Sequence, residues 1–358
     1  MNGRSILFRA AIALLAGATI LIAPSVVAGA AADNPANGSS RQVLFVQTNG
    51  ASGNEVLVYE IAHNGTLTQV GAYPTGGLGG QTAPTTPPAN HSDYLSSQGS
   101  LLYDPEQGLL IAVNAGSDSI SVFRVLGERL SLREILPSGG EFPASIAISH
   151  DLVYVLNAGG EGAVSGYYVV GGFLIPIPGS TRELGLGNTN PPNFLTSPGQ
   201  VAFSPDGSQL LITTKESTNS IDVFHVGPFG QLSAPPVVNT PSTTQLPFSL
   251  TFAPDGLAVV GQAATSSLAT YTLSSNGTLT NQATLSDGQT ALCWVTEAGG
   301  FYYVANTGTN NVSAYRVSSS GALSLVGTTG IVASTDAGPI DMAATPDGST
   351  LYVEAGLA

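Results

Sequence analysis

The chain has 358 residues, and its 44 Gly, 23 Pro and only 9% charged residues are typical of a turn-rich folded protein rather than a disordered one. Its formal net charge of −14 repels nucleic acid and anionic membrane surfaces, so we expect no nucleic-acid partner. Cys293 is the only cysteine, which excludes an intramolecular disulfide.

The first residues have the pattern of a secretory signal peptide. Arg4 and Arg9 precede an apolar run over residues 10–22, and Ala30 and Ala32 offer cleavage sites of the A-x-A type. The run is short for a membrane span, although a retained N-terminal anchor is an alternative. We predict a signal peptide over residues 1–32, a disordered linker over residues 33–41 and a single domain over residues 42–358. We expect a secreted bacterial protein, extracellular or associated with the cell wall, monomeric and without membrane contact after removal of the leader.

From residue 43 onward the same sequence phrase returns. It consists of an apolar strand, a tight turn such as the SPDG of residues 204–207, a strand ending in Asn or Thr, and a strand ending in an aromatic residue. These aromatic residues are Tyr59, Phe123, Tyr167, Phe224, Tyr271 and Tyr315. Their spacing of about 44 to 64 residues is that of β-propeller blades, which bury their faces against one another.

The strand count bears on the number of blades. We count about 25 predicted strands, whereas seven four-stranded blades would contain about 28. The missing strands fall at the closure, because the chain enters in a second strand at residues 43–47 and ends after another at residues 351–354. We therefore predict an all-β fold, a seven-bladed β-propeller of four-stranded antiparallel blades with an incomplete last blade. In the alternative, residues 341–344 pair with residues 43–47, which gives six blades and a displaced tail.

Three long insertions rich in Pro, Gly, Ser and Thr connect the fourth strand of one blade to the first strand of the next. They span residues 73–97, 179–198 and 234–247. Because they occur at the same phase of the repeat, they should lie on the same face as the loops between second and third strands. Polar residues at or near first strands should line the axis: Gln98, Ser100, Gln200, Ser249, Gln289 and Asp341. We expect the ligand at this mouth of the axial channel.

Several phrases in succession carry a resemblance to a known family. Among them are QGSLLYDPEQGLLIAVNAGSDSISVFRV, HDLVYVLNAGG, PGQVAFSPDGSQLLITT and YYVANTGTNNVSAYRV. They resemble the lactonase-family seven-bladed propellers, which are grouped with bacterial 6-phosphogluconolactonase and the carboxymuconate cyclases. The resemblance implies a hydrolase or cycloisomerase that acts on a small-molecule lactone at the axial mouth, with no cofactor and no required metal.

Lactone hydrolysis requires a base that activates water and donors that face the carbonyl oxygen as it becomes an oxyanion. Lys215 is the only lysine and adjoins Glu216, although an exposed surface pair is the simpler alternative. The predicted catalytic residues at the mouth are Lys215, Glu216, His91 and Glu141, with Glu161 as a further candidate base.

Polar residues at strand ends and near the axis are the candidates for binding the ligand. The predicted ligand-binding residues are Asn114, Asn157, Gln200, Gln289 and Asn306. Asn after a strand also caps turns through its own side chain, and a polar, water-filled channel is the alternative for the glutamines. No spacing typical of calcium or zinc sites accompanies these residues, so we predict no metal site.

Two classes of function therefore remain open. The first is a secreted lactonase-like hydrolase whose site lies at the mouth of the channel. The second is a non-catalytic propeller that binds an extracellular ligand or a cell-wall partner through its loops. The fold does not choose between them, because propellers support both.

Overall fold

The structure, a computed structural model, describes residues 28–32, 42–81, 93–241 and 245–357. The predicted linker, His91 and the first 27 residues of the predicted signal peptide lie outside the described residues. Strands make up almost all of the regular structure in the described part, where the one helical element is a 3-10 turn over Ala115–Ser117. The all-β prediction is confirmed.

Six antiparallel sheets have four or five strands each and form the blades of a propeller. Blade 1 contains β1 (Ala28–Ala32), β2 (Gln42–Gln47), β3 (Glu55–Ile61) and β4 (Leu67–Pro74). Blade 2 contains β5 (Leu101–Asp104), β6 (Leu109–Asn114), β7 (Ser119–Leu126) and β8 (Arg129–Pro137). Blade 3 contains β9 (Pro143–Ser149), β10 (Leu152–Asn157), β11 (Ala163–Val170), β12 (Phe173–Pro176) and β13 (Arg182–Glu183).

The remaining strands continue the same order. Blade 4 contains β14 (Gln200–Phe203), β15 (Gln209–Thr213), β16 (Ile221–His225) and β17 (Val237–Asn239). Blade 5 contains β18 (Pro247–Phe252), β19 (Ala258–Gln262), β20 (Ser267–Leu273) and β21 (Leu279–Ser286). Blade 6 contains β22 (Leu292–Ala298), β23 (Phe301–Asn306), β24 (Asn311–Val317), β25 (Leu323–Leu325) and β26 (Ile331–Ser334). A two-stranded sheet follows, made of β27 (Pro339–Ala344) and β28 (Leu351–Ala355).

The sheets form a closed ring around an axis. The innermost strands contact one another in chain order, from β1 through β5, β9, β14, β18 and β22 to β27, and β27 also contacts β1. The predicted number of seven blades, the last of them incomplete, is wrong, because the described residues form six blades and a separate two-stranded sheet. The two-stranded sheet stands between blades 6 and 1, and β27 pairs with β28 rather than with residues 43–47.

Strand β1 fills the inner position of blade 1, where the sequence predicts no strand. It pairs with β2 so that Ala30 lies opposite Leu44 and Ala28 lies opposite Val46. The predicted cleavage sites after Ala30 and Ala32 fall within this strand. Cleavage at either site would therefore remove part or all of the innermost strand of blade 1.

The turns between first and second strands have the predicted geometry. Gly207, Gly256 and Gly348 take the positive φ values of 69°, 87° and 66° that glycine adopts without steric cost. In the first of these turns the Asp206 carboxylate accepts a hydrogen bond from the Ser204 hydroxyl at 2.6 Å. The Asp of the turn thus forms the turn through its own side chain.

The hydrophobic core is divided into layers that lie between neighbouring blades. Phe45 of blade 1 packs against Tyr103 of blade 2, with ring centroids 5.5 Å apart, and Tyr154 of blade 3 packs against Phe203 of blade 4 at 6.0 Å. The third-strand aromatic residues lie in these layers, and Phe123 is only 1% exposed. Blade-to-blade burial of apolar area therefore holds the ring together.

Candidate functional site

Three of the predicted ligand-binding residues are the asparagines that end second strands. Each is completely buried. Asn114 Nδ2 donates to Ser121 Oγ at 2.8 Å, and its Oδ1 accepts from Thr75 Oγ1 at 2.6 Å and from Asn54 Nδ2 at 3.0 Å. The side chain therefore fastens the connection between blades 1 and 2 to the interior of blade 2.

Asn157 and Asn306 hold the corresponding connections in blades 3 and 6. Asn157 Nδ2 donates to Ser138 O at 3.2 Å, and Asn306 Nδ2 donates to Asp287 Oδ2 at 2.9 Å and to Ser313 Oγ at 2.9 Å. The repeated contact shows that the loops after second strands lie on the same face as the connections between blades. These hydrogen bonds also give the asparagines a structural role that does not require a ligand.

The two predicted glutamines also contact protein groups. Gln200 Oε1 accepts from Leu250 N at 2.6 Å, which joins the inner strands of blades 4 and 5. Gln289 Oε1 accepts from Asn311 Nδ2 at 2.9 Å within blade 6. Both side chains are partly exposed, so their role in binding a ligand stays a prediction.

The predicted acidic bases do not come together. Glu216 is exposed, and its backbone N donates to Leu195 O at 3.0 Å. Glu141 is exposed and accepts from Asn190 Nδ2 at 3.2 Å, while Glu161 is an exposed loop residue. The structure thus separates Lys215 from Glu216, because one side chain points into the protein and its neighbour lies at the surface.

Lys215 is completely buried, although it lies in a loop just after β15. Its Nζ donates to Ser96 Oγ at 2.6 Å, Ser96 O at 2.7 Å, Phe194 O at 2.7 Å and Ser197 Oγ at 2.8 Å. The acceptors are carbonyl and hydroxyl oxygens, so no carboxylate is among its hydrogen-bond partners in the described residues. Lys215 therefore joins the first two long insertions of the mouth to blade 4.

Two aromatic rings complete the surroundings of the ammonium group. Nζ lies 5.0 Å from the ring centroid of Phe194 and 5.2 Å from that of Phe248, distances at which a cation is attracted to the ring face. Phe248 follows the third insertion. The first two insertions therefore contact Lys215 directly, and the strand that follows the third insertion contributes Phe248.

Residues 93–99, which we call the crossing segment, run across the axis at the mouth. Gln98 N donates to Gly199 O at 3.0 Å beside blade 4. Its side chain makes two hydrogen bonds to the backbone of Val295 in blade 6, at 2.9 and 3.0 Å. Blades 2 and 6 are not neighbours in the ring, so this contact spans the channel.

Asp93 at the start of the crossing segment is a buried carboxyl group near Lys215. It is 2% exposed, and it accepts hydrogen bonds from Leu95 N at 2.8 Å and Ser97 N at 3.0 Å. Burial raises the pKa of Asp93 to about 6, an effect that these hydrogen bonds and the charge of Lys215 partly oppose. Asp93 was not among the predicted site residues.

Asp341 on β27 is a second buried carboxyl group in the same region. It is 5% exposed and accepts from Met342 N at 2.8 Å. Burial raises the pKa of Asp341 to about 8, and the hydrogen bond from Met342 opposes this while the charge of Asp93 adds to it. Asp341 is among the residues predicted to line the axis but not among the predicted catalytic residues.

Lys215 and Cys293 respond to the same dry environment. Burial lowers the pKa of Lys215 to about 7, and Asp93 acts in the opposite direction. Burial raises the pKa of Cys293 to about 12, so its sulfur is a thiol rather than a reactive thiolate near neutral pH.

The charge of Asp93 acts on the pKa of both Lys215 and Asp341, and all three side chains are buried. We call Asp93, Lys215 and Asp341 the axial cluster.

The signal that could have found the axial cluster is weak. Asp93 stands two residues before Leu95, a spacing at which Asp side chains bond to the backbone in turns, so its sequence context indicates only a turn. The burial of Asp93 depends on the crossing segment lying over the channel, and the local sequence does not show this position of the segment.

The structure also bears on metals and membranes. Among the described residues, no group of three or more His, Cys, Asp or Glu side chains is arranged to hold a metal ion. In the same part of the chain we find no helix with the length and apolar character needed to cross a membrane.

Comparison with known proteins gives a family match for part of the chain. A family model described as "Lactonase, 7-bladed beta-propeller" matches residues 52–163. No curated protein sequence matches the chain. The match confirms the resemblance to lactonase-family propellers that the blade phrases indicated.

Solved structures share the fold at low sequence identity. A putative 6-phosphogluconolactonase from Bacteroides fragilis is 18% identical with a TM-score of 0.63, and the match covers 89% of each chain. A second from Bacteroides uniformis is 19% identical over 83% of each chain, with a TM-score of 0.61. The periplasmic gluconolactonase of Pseudomonas aeruginosa is 17% identical with a TM-score of 0.60, covering 87% of this chain and 85% of that one. At this identity the likeness shows the propeller fold.

Proposed function

We propose that this chain, a propeller that resembles the lactonase family, is a secreted lactonase-like hydrolase that opens a small lactone at the axial mouth. The observation that carries the proposal is the axial cluster. Asp93, Lys215 and Asp341 come from three distant parts of the chain and lie buried near the axis, close enough for the charge of Asp93 to act on the pKa of both others. Buried groups with displaced pKa values are typical of functional sites.

The two carboxyl groups suit the two roles that lactone hydrolysis needs. With a pKa of about 6, Asp93 is largely ionised at neutral pH and can accept a proton from water. With a pKa of about 8, Asp341 is largely protonated and can donate a hydrogen bond to the carbonyl oxygen. Pairs of carboxyl groups whose surroundings separate their pKa values often divide the work of acid and base in this way.

In the proposed hydrolysis, Asp93 and Asp341 account for each proton that moves. Water adds to the lactone carbonyl carbon while Asp93 takes its proton, and Asp341 hydrogen-bonds to the oxyanion that forms. The ring C–O bond then breaks, and the leaving alkoxide receives the proton held by Asp93. The product is the open hydroxy acid.

Access to the cluster depends on the crossing segment. Ser96 covers Lys215 in this structure, because both its hydroxyl and its carbonyl oxygen accept hydrogen bonds from Nζ. A substrate therefore contacts Lys215 only when Ser96 moves away from Nζ, while Asp93 at the start of the same segment keeps its place in the axial cluster. Movements of this kind are common in loops that cover active sites.

The charge of the cluster favours a lactone without a phosphate group. Lys215 is its only cation, and four protein oxygens already surround its Nζ. A phosphate requires several free cationic donors. We therefore expect the substrate to be an uncharged lactone.

The experiment is a pH-stat assay of the purified protein on a panel of uncharged γ- and δ-lactones, corrected for spontaneous hydrolysis. The wild-type rate should rise as the pH passes about 6 and fall as it passes about 8, because Asp93 must be ionised and Asp341 protonated. Asp93→Asn should lower the rate about 100-fold or more. Asp341→Asn should remove the alkaline fall, since an amide keeps its donor at every pH.

The matched control is Asp151→Asn, which changes an exposed carboxylate in a turn between β9 and β10. Its rate should equal that of the wild type. Equal rates for Asp93→Asn and the control, with both proteins folded by circular dichroism, would contradict the assignment of the base.

A non-catalytic binding propeller is the second candidate. The saturated hydrogen bonding of Lys215 favours it, because a side chain that contacts four oxygens of three residues stabilises the mouth without any substrate. Absence of turnover above the spontaneous rate for every lactone, with the folded wild-type protein, would support this function over the hydrolase.

A further inference from the structure

A cleft between blades 4 and 5 is separate from the axial cluster and has no part in the proposed hydrolysis. Its volume is about 430 Å³, within the range of small-ligand sites. Its lining residues are Ile221, Val238, Asn239, Thr240, Pro241, Gln245, Tyr271, Leu279, Asn281 and Thr284. We call it the blade 4/5 cleft.

The cleft exists because the outer strand of blade 4 is short. β17 has three residues, whereas the outer strand of blade 5, β21, has eight. The described chain therefore leaves the sheet of blade 4 early, at Asn239, beside the part of blade 5 that lines the cleft. The gap is thus set by strand lengths rather than by the rotamer of one side chain.

Asn239 fixes the relative position of the two blades at the base of the cleft. Its Nδ2 donates to Ile221 O at 3.2 Å in blade 4 and to Gly277 O at 3.0 Å in blade 5. Its Oδ1 accepts from Leu279 N at 2.8 Å. These bonds tie blade 4 to blade 5, so the cleft is formed before any ligand enters.

Other polar groups of the lining keep hydrogen-bonding capacity. Gln262 Nε2 donates to Gln245 Oε1 at 2.5 Å and to the Tyr271 hydroxyl at 3.0 Å. The Nε2 of Gln245 and the hydroxyl of Thr240 have no hydrogen-bond partner among the described residues. The Thr284 hydroxyl accepts from Asn281 Nδ2 at 3.2 Å and keeps its own proton for an acceptor. The cleft thus offers both donors and acceptors.

Among the described residues, the lining carries no charged side chain, in a chain whose net charge is −14. It combines amides and hydroxyls with apolar surface, and Val238 is 57% exposed. We propose that the blade 4/5 cleft binds a neutral saccharide. Sugar hydroxyls both donate and accept hydrogen bonds, while the C–H groups of the ring contact apolar side chains such as Val238, Pro241 and Leu279.

An ionic ligand does not suit this cleft. A carboxylate or phosphate would lose its water and gain no cationic partner, and an amine would gain no carboxylate. A purely apolar ligand would leave the amide of Gln245 and the hydroxyl of Thr240 without water or partner. The neutral, hydroxyl-rich class is the one that satisfies every group described.

The test is saturation-transfer NMR of the full chain with glucose, N-acetylglucosamine and cellobiose, alongside glucuronate and glucosamine as charged counterparts. The neutral sugars should receive saturation, and the charged ones should bind at least about tenfold more weakly, the equivalent of one lost hydrogen bond. Equal binding of charged and neutral sugars, or no transfer to any neutral sugar, would overturn the proposal.

Three variants locate the binding. Gln245→Ala and Thr284→Val should each weaken it about tenfold, and Val238→Glu should abolish it by placing a charge in the cleft. Thr284 and Val238 are exposed, so these two variants should fold normally. The matched control is Gln282→Ala, whose amide contacts Thr272 outside the lining at 3.1 Å and should bind as the wild type does.

The outcome is independent of the hydrolase. Lactone turnover by Thr284→Val should equal that of the wild type, because the substitution lies away from the axial cluster. Sugar binding that survives all three cleft variants would place the saccharide elsewhere and overturn the inference, whatever the lactone assay shows.

Discussion

The axial cluster and the blade 4/5 cleft show two opposite ways of placing polar groups in one propeller. The cluster consists of titratable side chains that are buried, whereas the cleft is open and its described lining residues are uncharged. Burial displaces the pKa values of Asp93, Lys215 and Asp341, because a charge in a dry interior loses its hydration. The axial cluster therefore has displaced pKa values but is closed, whereas the blade 4/5 cleft is open but uncharged.

The largest expected effect is that of Lys215→Ala on stability. The substitution leaves the oxygens of Ser96, Phe194 and Ser197 without their donor and opens a cavity between two aromatic rings. We expect unfolding to become easier by about 4 kcal/mol in urea titrations. Lys215→Met, which keeps the volume, should lose less.

The control for this comparison is Arg129→Ala, which removes an exposed cation from blade 2. Its free energy of unfolding should stay within about 0.5 kcal/mol of the wild type. A similar small loss for Lys215→Ala would show that the four hydrogen bonds of the ammonium group do not hold the mouth together.

Asp341→Asn should change how stability depends on pH. The pKa of Asp341 rises from 3.8 to about 8 on folding, so the folded state binds more protons between these values and wild-type stability falls as pH rises through this window. The variant lacks this contribution. Relative to the wild type, it should gain a few kcal/mol between pH 4 and pH 8, measured by urea unfolding at several pH values.

Lys215 acts with the opposite sign and in a different window. Its pKa falls from 10.5 to about 7 on folding, so the unfolded state binds more protons between these values and stability should rise with pH there.

For Asp341, a stability difference between Asp341→Asn and the wild type that does not change with pH would contradict its raised pKa.

A smaller effect is expected where blade 6 holds the crossing segment. Trp294 Nε1 donates to Ser97 O at 3.0 Å inside the protein. Trp294→Phe removes this donor and should lower the free energy of unfolding by about 1 to 2 kcal/mol. Hydrogen exchange of residues 93–99 should also become faster, and unchanged exchange would show that the tryptophan does not restrain the segment.

The smallest stability effect belongs to the blade 4/5 cleft. Thr284→Val replaces an exposed hydroxyl by a methyl group of similar size, so the free energy of unfolding should change by less than about 0.5 kcal/mol. Thermal unfolding measures this. A loss as large as that of Trp294→Phe would show that the cleft is a structural joint, which would weaken the contrast with the axial cluster.

The blade repeat was predictable because it is local. The alternation of buried residues, the Pro-Asp-Gly turns and the third-strand aromatic residues follow from neighbours in sequence, and the structure confirms a propeller. The number of complete blades was not predictable in this way, since β1 and the two-stranded sheet acquire their places only when the ring closes.

The sequence by itself determined that Lys215 follows a second strand on the face of the mouth, and that Asp341 belongs to an inner strand. Only the tertiary structure decided that Lys215 is buried while Glu216 is exposed, and that Asp93 lies near Lys215 and Asp341. The physical reason is that burial and pKa depend on which distant segments pack over a group. Here the crossing segment, more than 100 residues before Lys215 in the chain, covers the mouth and removes its water.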